Sequence, residues 1–112
     1  MVAEANRENI MSTIKIKAKE SKGSVTVRTL VKHPMETGQR KNKKTGEKIP
    51  AHFIQEVTCK ANGEEVMNVY WGPAVSKNPY LTFVYEGSKG DTIELSWLDN
   101  QGNRDSNKAT VK

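Results

Sequence analysis

The segment Phe53-Ile-Gln-Glu-Val-Thr-Cys-Lys-Ala-Asn-Gly-Glu-Glu-Val-Met-Asn-Val-Tyr-Trp71 reads as a β-hairpin, and that reading sets the class of the whole chain. Two runs rich in β-branched and aromatic residues flank Asn62-Gly63. A type I′ turn needs positive φ at both central positions, which Asn and Gly adopt more readily than other residues. The first run is predicted as a strand with Phe53, Val57 and Cys59 on one face and Glu56, Thr58 and Lys60 on the other. Val66 to Trp71 is the returning strand.

The same period of two extends in both directions. Upstream, Ile14 to Lys19 alternates strictly, Ser21-Lys22-Gly23 is a turn, and Val25 to His33 is the longest strand candidate. Val25, Val27, Thr29 and Val31 share one face of it; Arg28 and Lys32 share the other. Downstream, Gly72 to Pro79 carries two prolines and a glycine and reads as a crossing loop. Tyr80 to Tyr85 follows as a strand. Thr92 to Leu98 turns Ile93, Leu95 and Trp97 inward, Asp99 to Gly102 is a turn, and Arg104 to Val111 is a polar edge strand. No segment of ten or more residues has helical periodicity. Seven short strands with regular turn signals predict an all-β, immunoglobulin-like antiparallel sandwich, with Trp97, Phe83 and Phe53 at its centre.

Between the second and third strands lies a loop from His33 to Pro50. It is too long for a hairpin turn and too polar for a core, and loops of this length in small domains are usually functional or disordered. It holds Arg40, Lys41, Lys43, Lys44 and Lys48, five of the 18 basic residues of the chain, against Glu36 and Glu47. His33 and His52 flank it. They either meet at its base or sit on the surface at strand ends.

The chain has 112 residues and a net charge of +5, which suits one domain with a basic face. Residues 1–12 are expected to be a flexible extension and residues 13–112 a single domain. The N-terminus has neither the charged head nor the apolar centre of a signal peptide. No apolar run approaches the roughly 20 residues of a membrane span. Two His and one Cys fall short of a structural zinc site, so no metal is expected, and no cofactor motif is present. No nucleophile-and-base constellation can be assembled, which argues against an enzyme. Cys59, mid-strand beside Val57, reads as a core residue; a reactive thiol or a cross-chain pair are the other readings. The basic loop suits an anionic small molecule, an acidic protein or nucleic acid, or is simply solvated. Nucleic acid is disfavoured because residues 34–50 contain no stacking aromatic.

Four motifs in order resemble the SoxZ family: His33-Pro-Met-Glu-Thr-Gly-Gln-Arg40 with its Lys-rich continuation to Ile49-Pro50, Phe53 to Gly63, Pro73-Ala-Val-Ser-Lys-Asn-Pro-Tyr80, and Trp97-Leu-Asp-Asn-Gln-Gly102. The resemblance spans roughly residues 14–112. It implies a non-catalytic subunit of a SoxYZ-like sulfur carrier of bacterial thiosulfate oxidation. The partner, a SoxY-like chain, would bear the substrate thiol on a glycine-rich arm. This chain ends Lys108-Ala-Thr-Val-Lys112, without glycine or cysteine, so it would be the partner of the thiol bearer. The resemblance further implies a periplasmic heterodimer, co-exported with a signal-bearing SoxY and touching other sulfur-oxidation enzymes transiently, with no nucleic acid and no membrane as partners. Some of Met67, Tyr70, Trp71 and Tyr80 are expected to contact SoxY; the other reading is that they cap the end of the core. His33, Glu36, Arg40, Lys41, Lys43 and Lys44 form the expected steering loop for anions or partner enzymes. Gly38 would let the backbone come close, and Arg40 would grip an oxyanion. The rival reading is a stand-alone anion- or nucleic-acid-binding sandwich that uses the basic loop at 38–48.

Overall fold

The computed structural model describes residues 12–112. Among them are seven strands and no helix: β1 (Ile14–Ser21), β2 (Ser24–Val31), β3 (Ile54–Ala61), β4 (Glu64–Tyr70), β5 (Tyr80–Glu86), β6 (Thr92–Asp99) and β7 (Arg104–Thr110). They form a three-stranded sheet, β1-β2-β5, and a four-stranded sheet, β4-β3-β6-β7, with every pairing antiparallel. The fold is the expected immunoglobulin-like sandwich. Nearly all of the expected N-terminal extension lies outside the described residues. Ser12 and Thr13 are tied down, with the Thr13 amide and hydroxyl both donating to Asp105 Oδ2 (2.7 and 2.6 Å).

Alternation drives the core. Val25, Val27, Thr29 and Val31 on β2, and Ile93, Leu95 and Trp97 on β6, are buried as their period predicts. Asn62 (φ 53°) and Gly63 (φ 87°) close the β3–β4 hairpin with two left-handed residues, the geometry of a type I′ turn. Trp97 is buried and its indole N–H donates to Thr13 Oγ1 at 3.0 Å, which satisfies the polar end of the ring.

Two expectations about the core need correction. The centre is aliphatic, and Phe53 and Phe83 are only partly buried against it. The cause for Phe53 is a bulge where β3 meets β6: Ile54 pairs with Asp99 and Glu56 with Leu98, so Gln55 is left over. One extra residue inverts the phase of a strand. Ile54 therefore joins Val57, Cys59 and Ala61 inside, and Phe53 is displaced to the rim.

The two sides of the sandwich differ. On one side β1 and β7 close it: Lys112 N–H donates to Ala18 O (3.0 Å), Glu20 N–H to Lys112 O (2.8 Å), and the Asn107 side chain to Ile14 O (2.8 Å). On the other side β4 and β5 are the free edges of their sheets. Among the described residues, eight of the ten partly buried apolar side chains against the core belong to β4, β5 or the loop between them. The sandwich is bridged at β1/β7, and most of the partly exposed apolar surface lies at β4/β5.

Candidate functional site

His33 continues the inward phase of β2 by one more step, and Asp99 does the same for β6. Both are buried, with side chains 2% and 0% exposed. The inward phase brings them together at the end of the sandwich where the chain crosses between sheets. His33 Nε2 lies 3.1 Å from Asp99 Oδ2, and His52 Nε2, arriving at the far end of the long loop, lies 2.7 Å from the same oxygen. The two imidazoles meet edge to face with centroids 4.5 Å apart. The expectation that the histidines meet at the loop base matches this geometry. The placement of His33 in an exposed steering loop does not, because it is buried.

Met35 fixes the protons. Its backbone N–H donates to His33 Nδ1 (3.1 Å), so that nitrogen carries a lone pair and Nε2 carries the hydrogen given to Asp99. Asp99 Oδ1 accepts the Gln101 and Asn103 amides (3.0 and 2.8 Å), and Oδ2 accepts the Asn103 side chain as well (3.2 Å). Burial by itself raises the Asp99 pKa, but the hydrogen bonds from His33, Asn103 and His52 more than offset it and hold the carboxyl at about 2. Burial lowers the pKa of His33, assisted by the nearby His52 and opposed by Asp99. With Nδ1 accepting the Met35 N–H the ring is neutral, and the cluster is a latch, a buried carboxylate held by two imidazoles.

The same three side chains place one potential metal-ligand atom each within 4.8 Å of one another. A neutral histidine that binds a metal through Nε2 must carry its hydrogen on Nδ1, where the Met35 N–H already points. Among the described residues no buried side-chain polar atom lacks a partner. The donor set fits the latch and conflicts with a metal. Asp99 and Met35 were not among the expected functional residues; the alternation of β2 and β6 carried to its last residue signals His33 and Asp99, whereas nothing local marks Met35.

From this root the loop rises as a narrow finger. Glu36 and His52 exchange backbone hydrogen bonds (2.7 and 3.0 Å), Ile49 N–H donates to Arg40 O (2.7 Å), and Asn42 and Glu47 close the tip. Gly38 (φ +88°) permits this closure: a Cβ there would lie 3.1 Å from Ala51 Cβ. The close approach at Gly38 is therefore to the other leg of the finger. Arg40 is 66% exposed, but its Nε and Nη2 already donate to Glu36 Oε1 and Oε2 (3.1 and 2.6 Å). Arg40 thus holds the Glu36 carboxyl below its usual range. The edge of its fork expected to grip an oxyanion is occupied by Glu36. Lys41, Lys43, Lys44 and Lys48 stand exposed on the outer half of the finger.

The expected partner contacts gather around the open edge on different faces. Met67 and Trp71 are partly buried against the core, and Met67 pairs with buried Cys59. Tyr70 pairs with Glu56 on the outer face of one sheet, and Tyr80 with Leu30 on the outer face of the other; each is 77% exposed. Cys59 is fully buried, and burial pushes its thiol up to about 12. This placement matches the core role expected for Cys59, since reactive thiols are partly exposed in electropositive surroundings.

A search of curated proteins returned no match to this chain. Two solved structures of variants of the superoxide reductase (neelaredoxin) from Ignicoccus hospitalis share the architecture. One has a TM-score of 0.60 at 18% identity, covering 97% of this chain and 87% of the other; the second has 0.58 at 18% identity, covering 98% and 90%. At that identity the likeness concerns the fold alone. The family described as "Sulphur oxidation protein SoxZ" matches residues 14–110, nearly the whole chain, and the protein belongs to that family.

Proposed function

We propose that this chain is the non-catalytic subunit of a heterodimeric sulfur carrier in the periplasm, co-exported with and scaffolding a SoxY-like, thiol-bearing partner. In this reading the partner seats on the open β4/β5 edge. The observation that carries it is the asymmetry of the sandwich: Met67, Trp71, Leu81 and Phe83 are only partly buried and, with their neighbours, put most of the incompletely covered apolar surface on that side, with Tyr70 and Tyr80 exposed nearby. Buried aromatic anchors ringed by other contacts typically supply most of the energy of an interface. The sealed Cys59 thiol supports a scaffold over a carrier of covalent sulfur. The lysine finger then steers anionic carrier ends and acidic enzyme surfaces by long-range attraction, since the Arg40 fork is engaged by Glu36.

Co-expression with a SoxY-like chain and measurement of the heterodimer Kd tests this. Trp71→Ala is expected to weaken the pair by more than roughly tenfold, in line with loss of an aromatic anchor, and Tyr80→Ala by less. Failure of the two chains to copurify, or affinities within about twofold of the parent for both variants, would refute the assignment of this edge.

A further inference from the structure

A second cationic surface lies on the opposite side, along the closed β1/β7 joint. A groove of about 910 Å³ runs there, lined by the side chains of Lys17, Lys19, Arg28 and Lys112 and by no acidic side chain. Lys17 stands directly across from Arg28 in the β1–β2 register. Like charges directly opposite each other in a sheet are destabilising. Among the described residues, none of these four cations takes part in an ion pair.

The backbone in the groove is also incompletely used. The Lys32 N–H to Thr13 O bond and the Ser21–Ser24 hairpin closure direct the N–H and C=O groups of Ile14, Ile16, Ala18 and Glu20 away from β2. Ile14 O, Ala18 O and Glu20 N–H are taken by Asn107 and Lys112. Among the described residues the outward N–H groups of Ile16 and Ala18 meet no protein acceptor. Free edge groups are a template for an added strand.

We propose that this groove docks an extended, acidic peptide segment of a partner protein, with main-chain bonds to the β1 edge at Ile16 and Ala18 and carboxylates against Lys17, Lys19, Arg28 and Lys112. An extended peptide uses both features at once: the edge supplies direction and register, and alternate side chains reach the cations. Single-stranded nucleic acid would use the charges but not the edge amides, and no aromatic side chain lines the groove for its bases. The groove and the β4/β5 edge lie on opposite sides of the sandwich, so the inference stands whether or not the carrier assignment does.

The test uses the full chain and a fluorescent oligo-glutamate peptide of about ten residues, titrated by anisotropy at low salt, with hydrogen exchange read at the Ile16 and Ala18 amides. The triple variant Lys17→Gln/Lys19→Gln/Arg28→Gln is expected to weaken binding by roughly tenfold or more. Lys41→Gln/Lys43→Gln/Lys44→Gln, which removes the same charge from the finger, should change it less than about twofold. Bound peptide should slow exchange at both amides. Equal losses from the two variants would show diffuse attraction to a basic protein and overturn the proposal. So would absence of binding, protection confined to other strands, or tighter capture of oligothymidylate with the same dependence on Lys17 and Arg28.

Discussion

Replacing Asp99 by Asn keeps the shape of the side chain at the root of the finger and removes its charge. The Asn oxygen can still accept the Gln101 and Asn103 amides. Its NH2 group then faces His33 Nε2–H and His52 Nε2. His33 cannot answer by moving its hydrogen to Nδ1, because the Met35 N–H is directed there. At least one buried donor is stranded, at about 1–3 kcal/mol, and the remaining bonds lose the added strength of an ionised acceptor. The expected loss at pH 7 is about 3 kcal/mol, seen as a fall in Tm of roughly 12–24 °C by circular dichroism or calorimetry. The pH dependence is a second check. Asp99 titrates at about 2 in the fold and at 3.8 ordinarily, so its stabilisation is complete above 3.8 and is lost as pH falls through 3.8 toward 2. The gap between parent and variant should narrow by about 2 kcal/mol over that window. The lowered pKa of His33 adds acid sensitivity to both proteins as pH falls below its ordinary 6.5, since the unfolded ring gains a proton that the folded ring resists. A loss below about 1 kcal/mol at pH 7, or a gap that does not narrow in acid, would refute the latch.

Cys59 is expected to resist thiol reagents until the protein unfolds; Cys59→Ala should lower stability by about 1 kcal/mol and leave sulfur-carrier turnover intact, and modification of the native protein at the unfolding-independent rate of a free thiol would contradict its burial. Reversing Lys41, Lys43 and Lys44 to Glu should leave the melting curve unchanged and slow association with partner enzymes at low salt in stopped-flow measurements. The defect should fade as salt shortens screening to about 10 Å at 0.1 M; unchanged kinetics at low salt would leave the finger without a steering role.

What the sequence determined by itself was everything set by near neighbours. Period-two alternation placed Val25, Val27, Ile93 and Leu95 inside, because successive side chains of a strand point to opposite faces. Asn62-Gly63 supplied the backbone freedom of its turn, and the crowding of lysines between the second and third strands marked an exposed loop. The same alternation, carried one period of two residues past Val31 and past Trp97, puts His33 and Asp99 on the inward face. What tertiary structure decided depends on contacts between segments far apart in the chain. The bulge at Gln55 arises from how β3 meets β6, and it exchanges Phe53 for Ile54 in the core. The acceptor shared by His33 and His52 lies on a third segment, so neither histidine's neighbours reveal it. Glu36 occupies the Arg40 fork only because the finger folds back on itself. Bridging one side of the sandwich and leaving most of the partly exposed apolar surface on the other is likewise a property of which edges meet: β7 and the C-terminal residues reach β1, while β4 and β5 remain the outer strands of their sheets.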